Sequence, residues 1–269
     1  MAWGYDGSSQ YTKLLNSPVL NFPDGDWTFC VWARVSDNSG TGNPNLLSIG
    51  DDAATVHPYF NLAIGNSSFG ANNADDVAVT AGDDDTDKYG SVSSHNSETF
   101  SDTNWHHILV EHTTTFIRMF TDGVFRSQLN NVNFDGMTFT TDMFLGAGES
   151  LGAATYWLGE LAGLGKWDRI LSATEKALLA EDRVPPEHPV LKDALVLSCS
   201  MREGFIAETG DIIVENFGAV RALHPPMASA QKIFPSTRFP LPFDVSDKWP
   251  QPNILGTAEY NSPLIGPFG

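Results

Sequence analysis

Carboxylates are the side chains with the clearest chemical potential in this sequence. The run Asp83-Asp-Asp-Thr-Asp87 places carboxylates at alternate positions of a polar stretch, and Asp51 and Asp52 directly follow an apolar run. Oxygen-rich loops of this kind bind hard cations such as Ca²⁺. An EF-hand is excluded, because Lys88 stands at its sixth position in place of glycine. The candidate calcium ligands are Asp51, Asp52, Asp83, Asp85 and Asp87, and the alternative is a solvated acidic loop without any cofactor.

Aromatic side chains offer a second kind of binding site. A sugar ring stacks on an exposed aromatic ring, while carboxylate, amide or backbone groups fix its hydroxyls. Tyr59 and Tyr89 are the candidates for glycan binding, with Phe69 and Tyr156 as further choices. Ordinary packing of these rings is the alternative, and the sequence does not distinguish the two.

Catalytic constellations are absent from the sequence. A glycosidase needs two carboxylates that face one cleft, for example at alternate positions of one strand, and neither Glu111 nor Glu160 has such a partner. His106 and His112 would share one face of a strand, but a structural role is favoured for both. No nucleophile elbow, phosphate-binding loop or cysteine-based zinc spacing occurs. The sequence predicts that this chain is not an enzyme.

The charge of the chain limits its partners. With 33 acidic and 15 basic residues, the formal net charge is -18, which repels nucleic acid. No apolar run reaches the roughly 18 residues of a membrane span, and the N-terminus lacks the pattern of a signal peptide. Cys30 and Cys199 lie in strand-like runs, which favours two buried free thiols. We expect no nucleic acid partner, no membrane insertion, and synthesis in a reducing cytosol.

Short runs of alternating apolar and polar residues predict the strands that must position these side chains. The predicted strands are residues 27–35, 45–49, 59–64, 106–111, 116–121, 124–128, 143–145, 155–158, 194–201 and 211–220. Asp122-Gly123 predicts a type I′ hairpin that sets Phe120 opposite Phe125. The polar stretch 65–102 is predicted to be mostly loop. The 24 glycines and 16 prolines also favour an all-β protein.

One helix and a proline-rich arm complete the predicted organisation. Ser172 and Glu175 form a capping-box pattern at the start of a helix over 173–181. Prolines between 184 and 189 predict a domain boundary there. We therefore expect a β-sandwich over 1–183, a linker with a small strand-containing segment over 184–223, and an extended Pro- and Phe-rich arm over 224–269.

Three segments carry a family resemblance. Gly4-Tyr-Asp-Gly-Ser-Ser-Gln-Tyr11 is similar to an opening "FDG…Y" strand, and Trp105-His-His-Ile-Leu-Val110 with Phe120-Thr-Asp-Gly-Val124 is similar to a "WhHvav…lYvDG" hairpin. Residues 157–175 are similar to the closing pattern "f.G.iddv.iw.raLsa.E". Together, over residues 3–183, these segments resemble the laminin G-like domains of the concanavalin A-like lectin and glucanase superfamily.

This resemblance implies a jelly-roll β-sandwich of two antiparallel sheets, whose edge loops bind glycans in many members, often through calcium. The fold also hosts hydrolases and structural modules, so it does not choose the function. One departure is that Ala162-Gly163 replaces the acidic pair that often follows "G.i" in the family. Any role of that acidic pair is therefore lost in this chain.

Two functions are compatible with these observations. The stretch 195–226 loosely resembles tails that follow such modules in tailed-bacteriophage proteins, so we expect a non-catalytic virion structural protein, a capsid decoration or an appendage. Its partners would be further copies in a homo-oligomer, together with capsid proteins. The alternative is a module that binds a host-surface glycan, with or without calcium. An aromatic side chain beside carboxylates at the sandwich edge would favour glycan binding.

Overall fold

A computed structural model of the chain describes residues 2–36, 44–50, 58–64, 76–82, 89–93, 102–130, 136–148, 151, 155–199, 212–222 and 225. The chain divides into two units, Met1–Ile233 and Phe234–Gly269. The predicted arm over 224–269 lies outside the described residues, apart from Pro225.

Strands dominate the described part of the chain, as the alternating pattern predicts. They are β1 Ala2–Asp6, β2 Tyr11–Leu14, β3 Trp27–Val35, β4 Asn45–Gly50, β5 Tyr59–Ile64, β6 Val77–Gly82, β7 Tyr89–Ser93, β8 His106–Thr113, β9 Phe116–Thr121, β10 Val124–Asn130, β11 Met143–Leu145, β12 Leu158–Trp167, β13 Leu195–Cys199, β14 Val214–Phe217 and β15 Val220–Ala222. The helix is α1 Ala173–Ala180, and short 3-10 turns cover Pro18–Leu20 and Pro189–Leu191. No described helix has the length and apolarity of a membrane span.

Two antiparallel sheets form the sandwich, which confirms the predicted fold class. Sheet A has the order β10-β9-β8-β3-β12-β1-β15, with β13 also paired to β12. Sheet B has the order β14-β2-β11-β4-β5-β6-β7. Along β3, Phe29 and Val31 enter the core between the sheets, whereas Cys30 and Trp32 lie on the opposite, outer face.

The predicted hairpin and helix cap are both confirmed. Asp122 and Gly123 have φ values of 52° and 76°, and the register sets Phe120 opposite Phe125 with ring centroids 5.7 Å apart. Ser172 accepts a hydrogen bond from the Glu175 backbone N–H, and the Glu175 carboxylate accepts one in return from the Ser172 N–H.

The structure differs from the sequence analysis in two places along the strands. The stretch 65–102, predicted to be mostly loop, contains β6 and β7. The alternating pattern did not indicate β6, because the run Val77–Gly82 is buried on both faces. The strand predicted at 155–158 is instead β12, which begins at Leu158. Glycines interrupt the alternating pattern of β12. Glycine is required at residue 159, since a Cβ there would lie 2.1 Å from the Arg34 carbonyl oxygen.

The predicted boundary at 184 also requires correction. Residues 184–223 do not form a separate linker, because β13 and β15 join sheet A and β14 joins sheet B. The prolines turn the chain across the outer face of sheet A without ending the fold. Val184 and Leu191 pack on Trp167 there, and the Trp167 indole N–H donates to the Leu191 carbonyl at 2.7 Å.

The β8 histidines have structural contacts. His106 lies between Asp102 and Asp122, with nitrogen to oxygen distances of 3.0 and 2.8 Å. His112 stacks on Trp27 and its Nδ1 lies 2.8 Å from the Gly25 carbonyl oxygen. His107 is buried against Trp32 with ring centroids 5.1 Å apart. Burial lowers the pKa of His107 to about 4.

This buried imidazole predicts a loss of stability in acid. Between pH 6.5 and about 4 the unfolded chain holds a proton on His107 that the folded chain does not, so the free energy of unfolding falls as the pH falls. The shift corresponds to roughly 3 kcal/mol at the acid end of this window. We expect urea denaturation of His107→Phe to show a flatter pH dependence than wild type. An unchanged slope would contradict this role.

Candidate functional site

One cross-strand row on the outer face of sheet A forms the floor of a groove. Val220 of β15 pairs with Gly4 of β1, Gly4 with Glu160 of β12, and Glu160 with Arg34 of β3. The side chains of Val220, Glu160 and Arg34 point outward. They share the face of Gly4, whose neighbours Trp3 and Tyr5 enter the core. The groove encloses about 740 Å³, and its lining residues are Gly4, Tyr5, Asp6, Gln10, Arg34, Ser36, Gly159, Glu160, Val220, Arg221 and Ala222.

A bidentate ion pair occupies one end of this groove. Arg34 Nε and Nη2 donate to the two Glu160 carboxylate oxygens at 2.8 and 2.6 Å. The hydrogen bond to Glu160 raises the pKa of Arg34 above its usual value. The guanidinium also lies over the Trp105 ring, 5.4 Å from its centroid. An aromatic ring therefore lies against the guanidinium that pairs with the Glu160 carboxylate.

The β1–β2 turn forms one wall of the groove. Asp6 Oδ1 accepts hydrogen bonds from the backbone N–H groups of Ser8, Ser9 and Gln10 at 2.9 to 3.1 Å. Although desolvation alone would raise it, these bonds hold the pKa of Asp6 well below its ordinary value. Gly7 has a φ of 72°, and a Cβ there would lie 2.8 Å from Leu158 Cβ. The Asp-Gly pair in the opening motif thus fixes this wall.

Gly4 keeps the middle of the groove open. A Cβ built on Gly4 would make ordinary contacts, 3.5 Å from Ala222 Cβ and from Val220 Cγ2. Its φ lies outside the left-handed region that favours glycine. Gly4 is therefore required neither by backbone strain nor by a close approach, and its effect is to leave space above β1.

Two carboxylates share the groove, but their surroundings do not suit glycosidase chemistry. Asp6 and Glu160 are diagonal neighbours on the same face, with backbones about 7–8 Å apart. A glycosidase needs one carboxylic acid that keeps its proton near neutral pH. Backbone N–H groups stabilise Asp6 as an anion, and Glu160 is paired with Arg34. Hydrogen-bond donors therefore lie beside both groove carboxylates, which favours a binding role for the groove.

The tyrosines predicted to bind glycans lie on the other sheet. Tyr59 of β5 pairs with Gly50 on one side and with Gly82 on the other, and Gly82 pairs with Tyr89. The half-buried Tyr59 ring lies on Gly82, where a Cβ would be 2.7 Å from it. The structure therefore brings Tyr59 and Tyr89 into one row but separates this row from the sheet A groove.

The predicted calcium ligands, Asp51, Asp52, Asp83, Asp85 and Asp87, lie outside the described residues. The described strands on either side of these segments end in one row of sheet B, formed by Gly50, Tyr59, Gly82 and Tyr89. Within the described ranges, no group of three His, Cys, Asp or Glu side chains could hold a metal ion. Calcium binding stays a prediction.

The groove residues were not predicted from the sequence because they come from distant parts of the chain. One feature of the sequence pointed to a groove residue. Arg34 is the single charged residue in strand β3, which is otherwise almost entirely apolar. Ala162, which replaces an expected acidic residue, packs with Ala2 and Trp32 in an apolar layer beside the groove. Position 162, for which the resemblance led us to expect an acidic residue, is apolar in this chain.

Comparisons with known proteins agree with this architecture. The chain is similar in structure to a "putative carbohydrate binding protein" from Bacteroides ovatus, with a TM-score of 0.60 and 16% identity, covering 84% of this chain. It spans 61% of that protein's length. A heptameric SAP-like pentraxin from Limulus polyphemus has a TM-score of 0.52 and 12% identity, with coverages of 81% of this chain and 95% of the pentraxin. These likenesses establish the fold alone.

Sequence comparison places the chain in a family. No curated protein sequence matches it significantly. The family model for concanavalin A-like lectin/glucanases matches residues 6–175, which include the opening turn, the β8–β9 pair, β12 and the first turn of α1. The chain belongs to the concanavalin A-like lectin/glucanases superfamily.

Proposed function

We propose that this chain is a non-catalytic carbohydrate-binding module that holds a neutral glycan in the sheet A groove. The observation that carries the proposal is the Val220, Gly4, Glu160 and Arg34 row, which combines an open glycine floor with a fixed ion pair. The carbohydrate-binding description of the Bacteroides ovatus protein supports the same ligand class.

The chemistry of the groove suits sugar hydroxyls. Carboxylate oxygens accept hydrogen bonds and a guanidinium donates them, so the Arg34 and Glu160 pair presents both kinds of partner in a fixed arrangement. Trp105 adds an aromatic body beside the pair. The pair carries no net charge, and the chain as a whole carries -18, so an acidic glycan would be repelled.

A binding screen with one charge-removing variant tests the proposal. The purified protein is titrated by calorimetry with dextran, laminarin, xylan and mannan, in buffer containing EDTA. We expect one of these neutral polysaccharides to bind, and Glu160→Gln to weaken that binding about tenfold, because the amide keeps only one acceptor oxygen and removes the charge of the pair. Binding in EDTA would show that the groove does not need the calcium predicted for the acidic segments.

The matched control is Glu175→Gln. Glu175 forms a similar bidentate pair with Arg169, at 2.9 and 2.6 Å, but lies in the first turn of α1. We expect it to bind sugar like the wild type. Absence of binding to every neutral polysaccharide, or equal loss in both variants, would count against the groove. Reducing-sugar release by the wild type that Glu160→Gln abolishes would refute the non-catalytic assignment.

The virion role predicted from the sequence is independent of the groove and stays a proposal. It rests on the composition of residues 224–269 and on the resemblance of 195–226 to tails of bacteriophage proteins. A virion protein could present this module to a host surface, so the two functions are compatible. Light scattering of the full chain and of a chain ending at 223 tests it, since the proposal requires an assembly that the truncated chain cannot form.

A further inference from the structure

We infer that Gln10 and Ser36 are the specificity-determining residues of the groove and select which neutral glycan it accepts. This inference rests on the proposed function and deepens it. The Arg34 and Glu160 pair offers donors and acceptors to any sugar, whereas Gln10 and Ser36 line the same groove with polar side chains that no described residue satisfies. A ligand hydroxyl in the right position would satisfy them.

The other polar side chains of the groove lining are held by protein contacts. Tyr5 enters the core, where its hydroxyl donates to Thr12 Oγ1 at 3.4 Å. Asp6 accepts the N–H bonds of its own turn, and Arg34 and Glu160 hold each other. The positions of these groups are therefore set by the protein and do not depend on which sugar is bound.

Arg221 also lines the groove, but its side chain leaves β15 on the other face. It pairs with Trp3, which enters the core, whereas Val220 pairs with Gly4 on the groove face. The Cβ of Arg221 therefore points away from the groove floor, and we assign its guanidinium no role in selection.

Ser36 presents a free hydroxyl at the end of β3. Its backbone N–H donates to the Leu158 carbonyl at 3.1 Å, which holds the residue against β12. The preceding Val35 enters the core, so Ser36 follows on the outer face. Ser36 is exposed, and its hydroxyl has no hydrogen-bonding partner in the described part of the chain. It can both donate to and accept from a sugar hydroxyl.

Gln10 presents a free carboxamide from the β1–β2 turn. Its backbone N–H donates to Asp6 Oδ1 at 3.1 Å, which ties the residue to the wall of the groove. Its stem lies close to Gly218, where a Cβ would be 3.3 Å from Gln10 Cγ. Among the described residues the carboxamide has no hydrogen-bonding partner. A held stem thus carries a group with two donors and one acceptor oxygen.

The two residues act at separate places in the groove. Gln10 follows β1 and Ser36 follows β3, and β12 lies between these strands in sheet A. Two strand spacings amount to about 10 Å. Side chains this far apart with no shared partner contribute independently to a binding free energy. Each residue should therefore read its own hydroxyl of the ligand.

Unpaired polar groups of this kind create selectivity. A site that offers a hydrogen bond to one hydroxyl discriminates against a ligand that lacks it, because the polar group of the protein then stays unpaired in the complex. Neutral glycans differ in this respect: xylose lacks the hydroxymethyl group of glucose, and mannose turns one hydroxyl to the other face of the ring. Selection among them is what Gln10 and Ser36 can supply.

A panel of four trisaccharides tests this inference. Isomaltotriose, laminaritriose, xylotriose and mannotriose are titrated by calorimetry into the full chain, in EDTA. We expect Ser36→Ala and Gln10→Met each to weaken binding of the preferred trisaccharide about fivefold and to change the other affinities less, so that the preference narrows. The double variant should lose about twenty-fivefold, since the two contributions add as free energies. Glu160→Gln should weaken all four alike.

Two features of the variants keep the test specific. Methionine keeps an unbranched stem at position 10, so the contact with Gly218 is retained. The matched control is Thr174→Ala, which removes an exposed hydroxyl from α1, outside the groove lining. We expect it to bind all four trisaccharides as the wild type does, and thermal melting checks the fold of every variant.

The outcomes separate this inference from the proposed function. If the wild type binds all four trisaccharides equally, or if Ser36→Ala and Gln10→Met leave the preference unchanged, selection by these residues is refuted while the groove stands. If no trisaccharide binds, the proposed function fails and the inference fails with it. A loss concentrated on the preferred trisaccharide in both variants, and absent from Thr174→Ala, supports both.

Discussion

Replacement of Gly4 by leucine is expected to weaken glycan binding about a hundredfold while the sandwich stays folded. The leucine side chain would project from the groove floor between Glu160 and Val220, where the ligand has to lie. The fold should tolerate it, because Gly4 lies outside the left-handed region and a Cβ there makes contacts no closer than 3.5 Å. Calorimetry measures the affinity, and circular dichroism confirms the fold.

Gly4→Ala is the graded control for this prediction. A single methyl group at this position makes only ordinary contacts, so we expect a loss of binding smaller than that of leucine. If folded Gly4→Leu bound glycan as the wild type does, the ligand could not lie over β1. The site would then have to be sought elsewhere, and the Tyr59 row on sheet B would be the next candidate.

The second large effect concerns the helix on the outer face of sheet A. Glu111 of β8 is 1% exposed, and its carboxylate lies 2.7 Å from Lys176 Nζ and 3.5 Å from Arg118. Lys176→Ala leaves this buried carboxylate with only the more distant partner. We expect the free energy of unfolding in urea to fall by about 3 kcal/mol.

Replacing Glu111, the other member of this ion pair, should reduce the free energy of unfolding by less than replacing Lys176. Glu111→Gln removes the buried charge itself, and Lys176, which is 19% exposed, can extend into water. We expect its loss of stability to stay below that of Lys176→Ala, since the polar amide keeps a hydrogen-bonding partner for the lysine. Equal losses in the two variants would show that the pair, and not the burial of Glu111, sets the cost.

The fold was readable where side-chain alternation was strong. Strand β9 matches the prediction residue for residue, because its buried positions repeat every second residue. The hairpin at Asp122 followed from the conformational freedom of its two turn residues. Strands β6 and β7 were missed because acidic and polar residues on both sides hide a short apolar run.

The candidate site could not be read from the sequence in the same way. Its floor depends on β15 pairing with β1, so residue 220 lies beside residue 4, and no local pattern reports that pairing. Residues that seemed chemically suited, such as Tyr59, were chosen by type alone, without knowledge of the sheet they occupy. The predicted boundary at 184 concealed the same feature, since it assigned β14 and β15 to a separate segment.

Hydrogen exchange of the full chain with and without its preferred neutral oligosaccharide tests the central claim most directly. Groove binding predicts slower exchange in peptides that cover the β1–β2 turn, where Ser8, Ser9 and Gln10 N–H groups bond to Asp6, and in those that cover β15. Peptides from β5 and β6 should exchange unchanged. Protection confined to β5 and β6, with the β1–β2 turn unaffected, would contradict groove binding and move the site to the Tyr59 row.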